Sequence, residues 1–395
     1  MVYRVHSTYA GLTRKKTPWL LRDVHWDEAL RKQAVVWLAR TQHKAILRLT
    51  AQDYAEHSLQ GLCETFICAE AVNAWVFRML QAAIMETPGP RRTSAAPSED
   101  EEYGFVMEDG VKGMRILVMS PHPDDDVISM GGTLANLCQQ GYEVHVAYQT
   151  SGCIAVHDHD ALRHMDFMHS FAAASGGDAA QTSRTLKTLQ TFVRNKKRGQ
   201  VDVPLLQAVK TLIRYSEARS AAGVCGVPAE NCHFLDMPFY ETGTIAKKDL
   251  SAADIHIIKS LFQQLQPHQI YAAGDLSDPH GTHRTCLQAI FRALDTVKRE
   301  DWFRQTQVYL YRGAWQEWEP YEADLAVPMT SSDLSLKIDA IFRHQSQKDR
   351  ALFPGADPRE FWQRAKDRNE ATAALYDMMG FPEHHAMELF VEYRP

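Results

Sequence analysis

Residues 115–126 read RILVMSPHPDDD, and the fold follows from how that stretch is parsed. Arg115–Ser120 is an apolar run of strand length; two prolines then bracket a histidine, and three carboxylates follow at once. A helix is expected over residues 131–140, opening at Gly131-Gly132-Thr133 and stopped by Gly141, and residues 142–149 (YEVHVAYQ) make the next strand. Further strands are expected at 233–237, 269–273 and 308–311. Helices at 203–222, 252–266, 283–298, 334–348 and 359–379 fill the intervals. This alternation predicts an α/β fold, a Rossmann-like, mostly parallel sheet with helices on both faces. In such sheets ligands bind beyond the carboxyl ends of the strands.

Upstream the texture differs. Residues 26–49 and 52–85 carry apolar side chains at helical spacing (Leu30, Ala34, Val35, Leu38; Val72, Trp75, Val76, Met79), and residues 87–103 read TPGPRRTSAAPSEDEEY, rich in Pro, Ser and charge. The expected organisation is an N-terminal helical extension over 1–86, a linker over 87–110 and the α/β domain over 111–395. No internal repeat is visible.

The 395 residues carry 43 Lys+Arg against 49 Asp+Glu, a net charge of -6, which argues against nucleic acid as the main partner. Hydrophobic residues at 45% and charged residues at 23% are ordinary globular proportions, not those of a disordered chain. The seven cysteines are odd in number, scattered and without a CxxC pair, so reduced thiols are expected rather than a disulfide framework or a four-cysteine zinc site. The start of the chain has no apolar signal-peptide core, and the most apolar window, residues 66–85, is interrupted by Glu70, Asn73 and Arg78. A cytoplasmic protein without membrane or nucleic-acid partners is expected.

Two strand ends collect the chemistry. The first carries His122, Asp124, Asp125 and Asp126; an extended, Pro-restricted loop can aim His122 and Asp125 at one point while Asp124 faces elsewhere. The alternative is an acidic turn capping the helix that follows, which has no need of a histidine between two prolines. The strand at 269–273 leads into GDLSDPHGTH, with His280 and His283; here the alternative is a polar loop and helix cap. Two histidines and an aspartate suit Zn²⁺ with a fourth position open to water, the catalytic rather than the structural arrangement. A metal lowers the pKa of a bound water to about 7, and an adjacent carboxylate can take its proton. The implied chemistry is hydrolysis at a carbonyl or related centre.

PHPDDD followed by GGT, with HxxH in the second half, resembles the LmbE-like or PIG-L family of metal-dependent N-deacetylases over about residues 115–348. The resemblance implies His122, Asp125 and His283 as ligands of Zn²⁺ (Fe²⁺ being the other candidate), Asp124 as general base, and His280 as the group that assists as general acid or stabilises the oxyanion. Arg214 and Glu217 resemble an RxxE helix that helps hold the sugar, and Gln347 ends an HxxQ element (His344–Gln347) whose glutamine reaches the site; solvated or packing roles are the other reading of both elements. Two departures stand out: Asp126 replaces the family's usual Glu, and Ser277-Asp278-Pro279 offers no tyrosine for the oxyanion. The whole chain, with YETGTI, YRGAWQEW and FRHQSQKD, also resembles the C-terminal half of two-part proteins of Bacteroidetes-type bacteria whose first half is similar to glucosamine-6-phosphate deaminase. That implies an N-acetylated amino sugar as substrate, N-acetylglucosamine or its 6-phosphate, and a deaminase chain as a partner. The alternative is a non-catalytic sugar-binding or scaffold partner of such a deaminase. The histidines at 157, 159, 164 and 169 and the basic run 194–199 read as a polar loop with helix and a solvated loop; Trp315 and Trp318 offer either a sugar platform or core packing.

Overall fold

The structure is a computed structural model that describes residues 25–90, 111–197, 199–242, 244, 246–276, 281–313, 316–348 and 359–394. Among the described residues four helices come first: α1 (Glu28–Gln42), α2 (Ala51–Glu56), α3 (Gln60–Glu64) and α4 (Ala69–Ala83). The α/β part then runs β1 (Arg115–Ser120), α5 (Asp125–Gln139), β2 (Glu143–Tyr148), α6 (Asp158–Ser175), α7 (Ala179–Asn195), α8 (Pro204–Val224) and β3 (Cys232–Phe234). It continues with α9 (Ala252–Leu265), β4 (Gln269–Ala273), α10 (Thr282–Val297), β5 (Gln307–Tyr311), β6 (Leu325–Met329), α11 (Ser331–Ile341), α12 (Phe361–Met378) and β7 (Ala386–Glu392).

The seven strands form one sheet in the order β3-β2-β1-β4-β5-β7-β6. The first five are parallel, and β7 is antiparallel to both β5 and β6. Strand alternation sorts the core. Ile116 and Val118 of β1 face a cluster with α5 and α8, whereas Leu117 and Met119 face one with α9 and α10. Helices therefore cover both faces, as the β–α alternation requires. The order reverses at β1, where β2 lies on one side and β4 on the other; this is the topological switch point at which such sheets bind ligands.

The N-terminal helices share a core with the sheet's antiparallel edge. Val35, Leu38, Tyr54, Val76 and Leu80 are buried in one cluster with Ala326, Tyr376, Met387 and Leu389. Ile84 bridges to Ala326, and Met85 N donates to Ala326 O at 2.9 Å. Part of the stretch read as a linker is also packed: Pro88 and Pro90 are buried, and their carbonyls accept from Gln269 Nε2 (3.2 Å) and the Tyr142 hydroxyl (3.1 Å). Residues 91–110 lie outside the described residues.

Three local expectations are corrected. The helix after β1 starts at Asp125, not Gly131, because Asp124 takes the N-cap position and its carbonyl accepts from Ile128 N. The helix expected over 334–348 ends at Ile341, and Gln345–Gln347 forms a separate 3₁₀ turn. The histidine-bearing segment after residue 157 is a two-helix hairpin, α6–α7. All seven cysteines are free. Among the described residues, no helix is long and apolar enough to cross a membrane.

Candidate metal centre and its surroundings

The loop between β1 and α5 is held from below by the end of β2. Gln149 N donates to Ser120 O (2.8 Å), while Thr150 donates to Pro121 O from both its amide (3.1 Å) and its hydroxyl (2.7 Å). The Glu241 carboxylate in turn takes the Ser151 amide (2.9 Å) and hydroxyl (3.0 Å). Gly152 has φ +63°, and a Cβ there would lie 3.1 Å from Arg214 Nε and 3.3 Å from Pro123 Cδ, so a side chain would both strain the turn and crowd the loop.

On this base three donors meet. His122, Asp125 and His283 each offer one ligand atom within 4.8 Å of the others. Asp125 Oδ2 lies 3.0 Å from His122 Nδ1 and 3.1 Å from His283 Nε2. His122 leaves the β1 end, Asp125 begins α5, and His283 is the second residue of α10, reached from the β4 end. Burial works to raise the Asp125 pKa, but the two imidazoles outweigh it and hold the carboxyl well below the usual range. Two imidazole nitrogens and a carboxylate converging on one point fit a divalent cation with a coordination position to spare.

Asp124 has a partner of its own. Its Oδ2 is 3.0 Å from Arg214 Nη2, and the same guanidinium nitrogen donates to Pro123 O at 2.8 Å. Arg214 is 1% exposed. Burial opposes its charge, but Asp124 and Glu217 outweigh burial and raise its pKa. Arg214 thus grips the loop that carries His122 and Asp125. Glu217 accepts from Ser346 through both oxygens, amide and hydroxyl each at 2.7 Å, and so ties the 3₁₀ turn to α8. Gln347 Nε2 donates to Ala155 O at 3.3 Å and borders a narrow cleft that Asp124 and His344 also line. His344 is buried there with neither ring nitrogen hydrogen-bonded, and burial drives its pKa down to about 3, so the ring is neutral.

Asp126, the shorter replacement for the family's Glu, faces inward. It accepts from the Tyr148 hydroxyl at 3.0 Å, its own amide donates to Ser120 Oγ at 3.1 Å, and burial pushes its pKa up to about 7. His280, Ser277, Asp278, Pro279 and Trp315 lie outside the described residues. Trp318 packs rather than forming an open platform: its Nε1 donates to Leu310 O (2.9 Å), and Arg312 lies over its ring. The basic run contributes Lys196 to ion pairs with Asp158 and Asp202, which Lys210 also joins. The sequence reading missed Tyr240, whose ring packs edge-on to His122 with centroids 5.9 Å apart. Its only local signal was a position inside YETGTI, in an irregular segment with no strand or helix to place it.

The class is that of a mostly parallel sheet with a His–Asp–His donor set at its switch point. Residues 117–294 match the family model described as PIG-L: GlcNAc-PI de-N-acetylase. The chain is 43% identical over 392 residues to a glucosamine-6-phosphate deaminase-like protein of Bacteroides thetaiotaomicron; the match covers 98% of this chain but 58% of that protein's length. Solved structures that resemble it include the N,N'-diacetylchitobiose deacetylase of Pyrococcus horikoshii (16% identity, 76% of this chain and 94% of that chain, TM-score 0.45). The 4-carboxy-2-hydroxymuconate hydratase GalB of Pseudomonas putida KT2440 resembles it to a similar degree (17% identity, 71% and 97% coverage, TM-score 0.44).

Proposed function

We propose that this protein is a divalent-metal-dependent amide hydrolase that removes an acetyl group from the amine of an N-acetylated amino sugar, N-acetylglucosamine or its 6-phosphate. The observation that carries the reading is the convergence of His122, Asp125 and His283 beside a separately held carboxylate, Asp124. The PIG-L match over residues 117–294 supports the same reaction class.

His122, Asp125 and His283 would hold Zn²⁺ or Fe²⁺, which supplies a water of lowered pKa and polarises the amide carbonyl. Asp124 takes the proton of the attacking water, and Arg214 fixes the direction of that carboxylate. His280 is proposed to deliver a proton to the leaving nitrogen, so that amide and water become acetate and free amine. Gln347, on the cleft that reaches Asp124, is proposed to contact the sugar. Arg214 and Glu217 contribute by holding the loop and the 3₁₀ turn that face it. A chain spanning 58% of a deaminase-like relative leaves room for a deaminase as a neighbouring activity, one that would consume the freed amine.

The test is release of acetate from N-acetylglucosamine and its 6-phosphate, with Zn²⁺, with Fe²⁺ and after chelation. Metal-dependent acetate release is expected. A protein carrying stoichiometric metal that releases acetate from neither sugar would remove the substrate assignment, and one that takes up no metal would remove the hydrolase reading.

A further inference from the structure

Helix α5 is broken. Met130 sits at φ −136°, ψ 27°, outside helical geometry, so the turn that carries Asp125 and Asp126 is a separate short segment from the one that begins at Gly131. A break of this kind strands carbonyls at the end of the first segment and amides at the start of the second. Side chains from the far edge of the sheet meet both sets with the matching charge. Lys337 Nζ donates to Ser129 O (3.4 Å) and Arg368 Nη2 to Ile128 O (3.1 Å), which places two cations at the carbonyl end of the first segment. Glu388 accepts from Gly132 N (3.2 Å), Thr133 N (2.7 Å) and Thr133 Oγ1 (2.6 Å), which places an anion at the amide start of the second.

The opposite charges are themselves joined. Lys337 Nζ lies 2.6 Å from Glu388 Oε1 and 2.8 Å from Asn369 Oδ1, with Lys337 0% and Glu388 1% exposed. Gly132 makes the approach possible, since a Cβ there would sit 2.1 Å from Met329 Sδ. The charges follow the polarity of each half-helix, cations at a C-terminus and an anion at an N-terminus. They act on the segment whose first residue is Asp125.

We propose that Lys337, Glu388 and Arg368 are positioning residues that fix the break in α5 and thereby the direction in which Asp125 meets His122 and His283. The clamp sits one helical segment behind Asp125. It rests on the metal reading given above, and the experiment separates the two.

The probe is Co²⁺, bound to the full chain in place of the native metal and followed by its visible ligand-field spectrum and by competition with a chelator. Lys337→Met with Glu388→Gln removes both buried charges together at nearly constant volume, and Arg368→Gln removes the partly exposed cation alone. Thermal melts first establish that each variant is folded. The expected result is a folded variant whose Co²⁺ spectrum is shifted and whose affinity is about tenfold weaker, the scale on which groups behind a metal ligand act. Arg368→Lys, which keeps the cation, is expected to recover most of the loss of Arg368→Gln. Wild-type protein that binds Co²⁺ alongside folded variants with unchanged spectrum and affinity would overturn the clamp. Wild-type protein that fails to bind Co²⁺ would overturn the metal reading and the clamp with it.

Discussion

The Arg214 guanidinium lies 3.0 Å from the Asp124 carboxylate and donates to the carbonyl of Pro123 at 2.8 Å, so one nitrogen grips both the side chain and the backbone of the loop. Both residues are buried. A buried pair of this kind is strongly destabilised when one partner goes, because the other charge stays behind without compensation.

Arg214→Met is therefore expected to cost about 3–5 kcal/mol of stability, read from denaturant unfolding. Arg214→Lys keeps the charge but cannot reproduce the planar fork. It is expected to stay folded and to lose about tenfold or more in kcat with little change in KM, since charge-assisted hydrogen bonds are worth about 1.5–3 kcal/mol. An unchanged kcat in the lysine variant would place Arg214 outside the reaction.

Asp124 and Asp125 are adjacent in sequence and are expected to fail differently. Asp124→Asn should keep its metal and lose about 100- to 10,000-fold in turnover, the range for removal of a general base. Asp125→Ala should lose the metal itself, because both imidazoles converge on its Oδ2. Elemental analysis of the two purified variants, set beside their acetate release, distinguishes these outcomes.

Glu317 gives a pH dependence with a defined sign. Burial pushes its pKa up to about 7 from an ordinary value of 4.5, even with Arg368 at 3.5 Å. Between those values the folded chain binds more protons than the unfolded one, so this group's contribution to stability is complete below pH 4.5 and is lost as pH rises through about 7. Glu317→Gln should remove that loss, gaining up to about 3 kcal/mol on the wild type between pH 4.5 and pH 8. Melting temperatures of both proteins across that range would show whether the difference grows with pH.

Leu38 is 0% exposed in the cluster that α1 shares with β7 and α12. Leu38→Ala is expected to cost about 2–5 kcal/mol. Because that core is common to both parts, the loss should shift a single cooperative transition. A separate early transition, leaving the rest of the melt in place, would mean that the N-terminal helices unfold alone.

β1, β2 and β4 were legible because each is a short apolar run buried on both faces, bounded by turn residues. β6 and β7 were not. LAVPM carries Pro328, which argues against a strand, and AMELFVE places Glu388 in its centre. Only the tertiary partners Lys337, Gly132 and Thr133 make a buried glutamate tenable there. The donor set was legible for a related reason: His122, Asp125 and His283 fall at strand ends, and that placement is fixed by topology rather than by side-chain detail. The burial of Arg214 and the approach of Tyr240 to His122 depend on how α8 and an irregular segment settle against the loop, which no local pattern encodes.

Strand β7 has two clients. Met387 and Leu389 turn toward the N-terminal helices, while Glu388 between them turns toward the break in α5. Alternation along one strand thus places the helical extension and the ligand-bearing segment a single residue apart, back to back across the sheet. The composition break at 87–103 marks a change in texture, but it is a poor place to cut the chain. Expression from residue 111 onward would uncover part of the Met387 and Leu389 face of β7 while asking its other side to hold Glu388 in register.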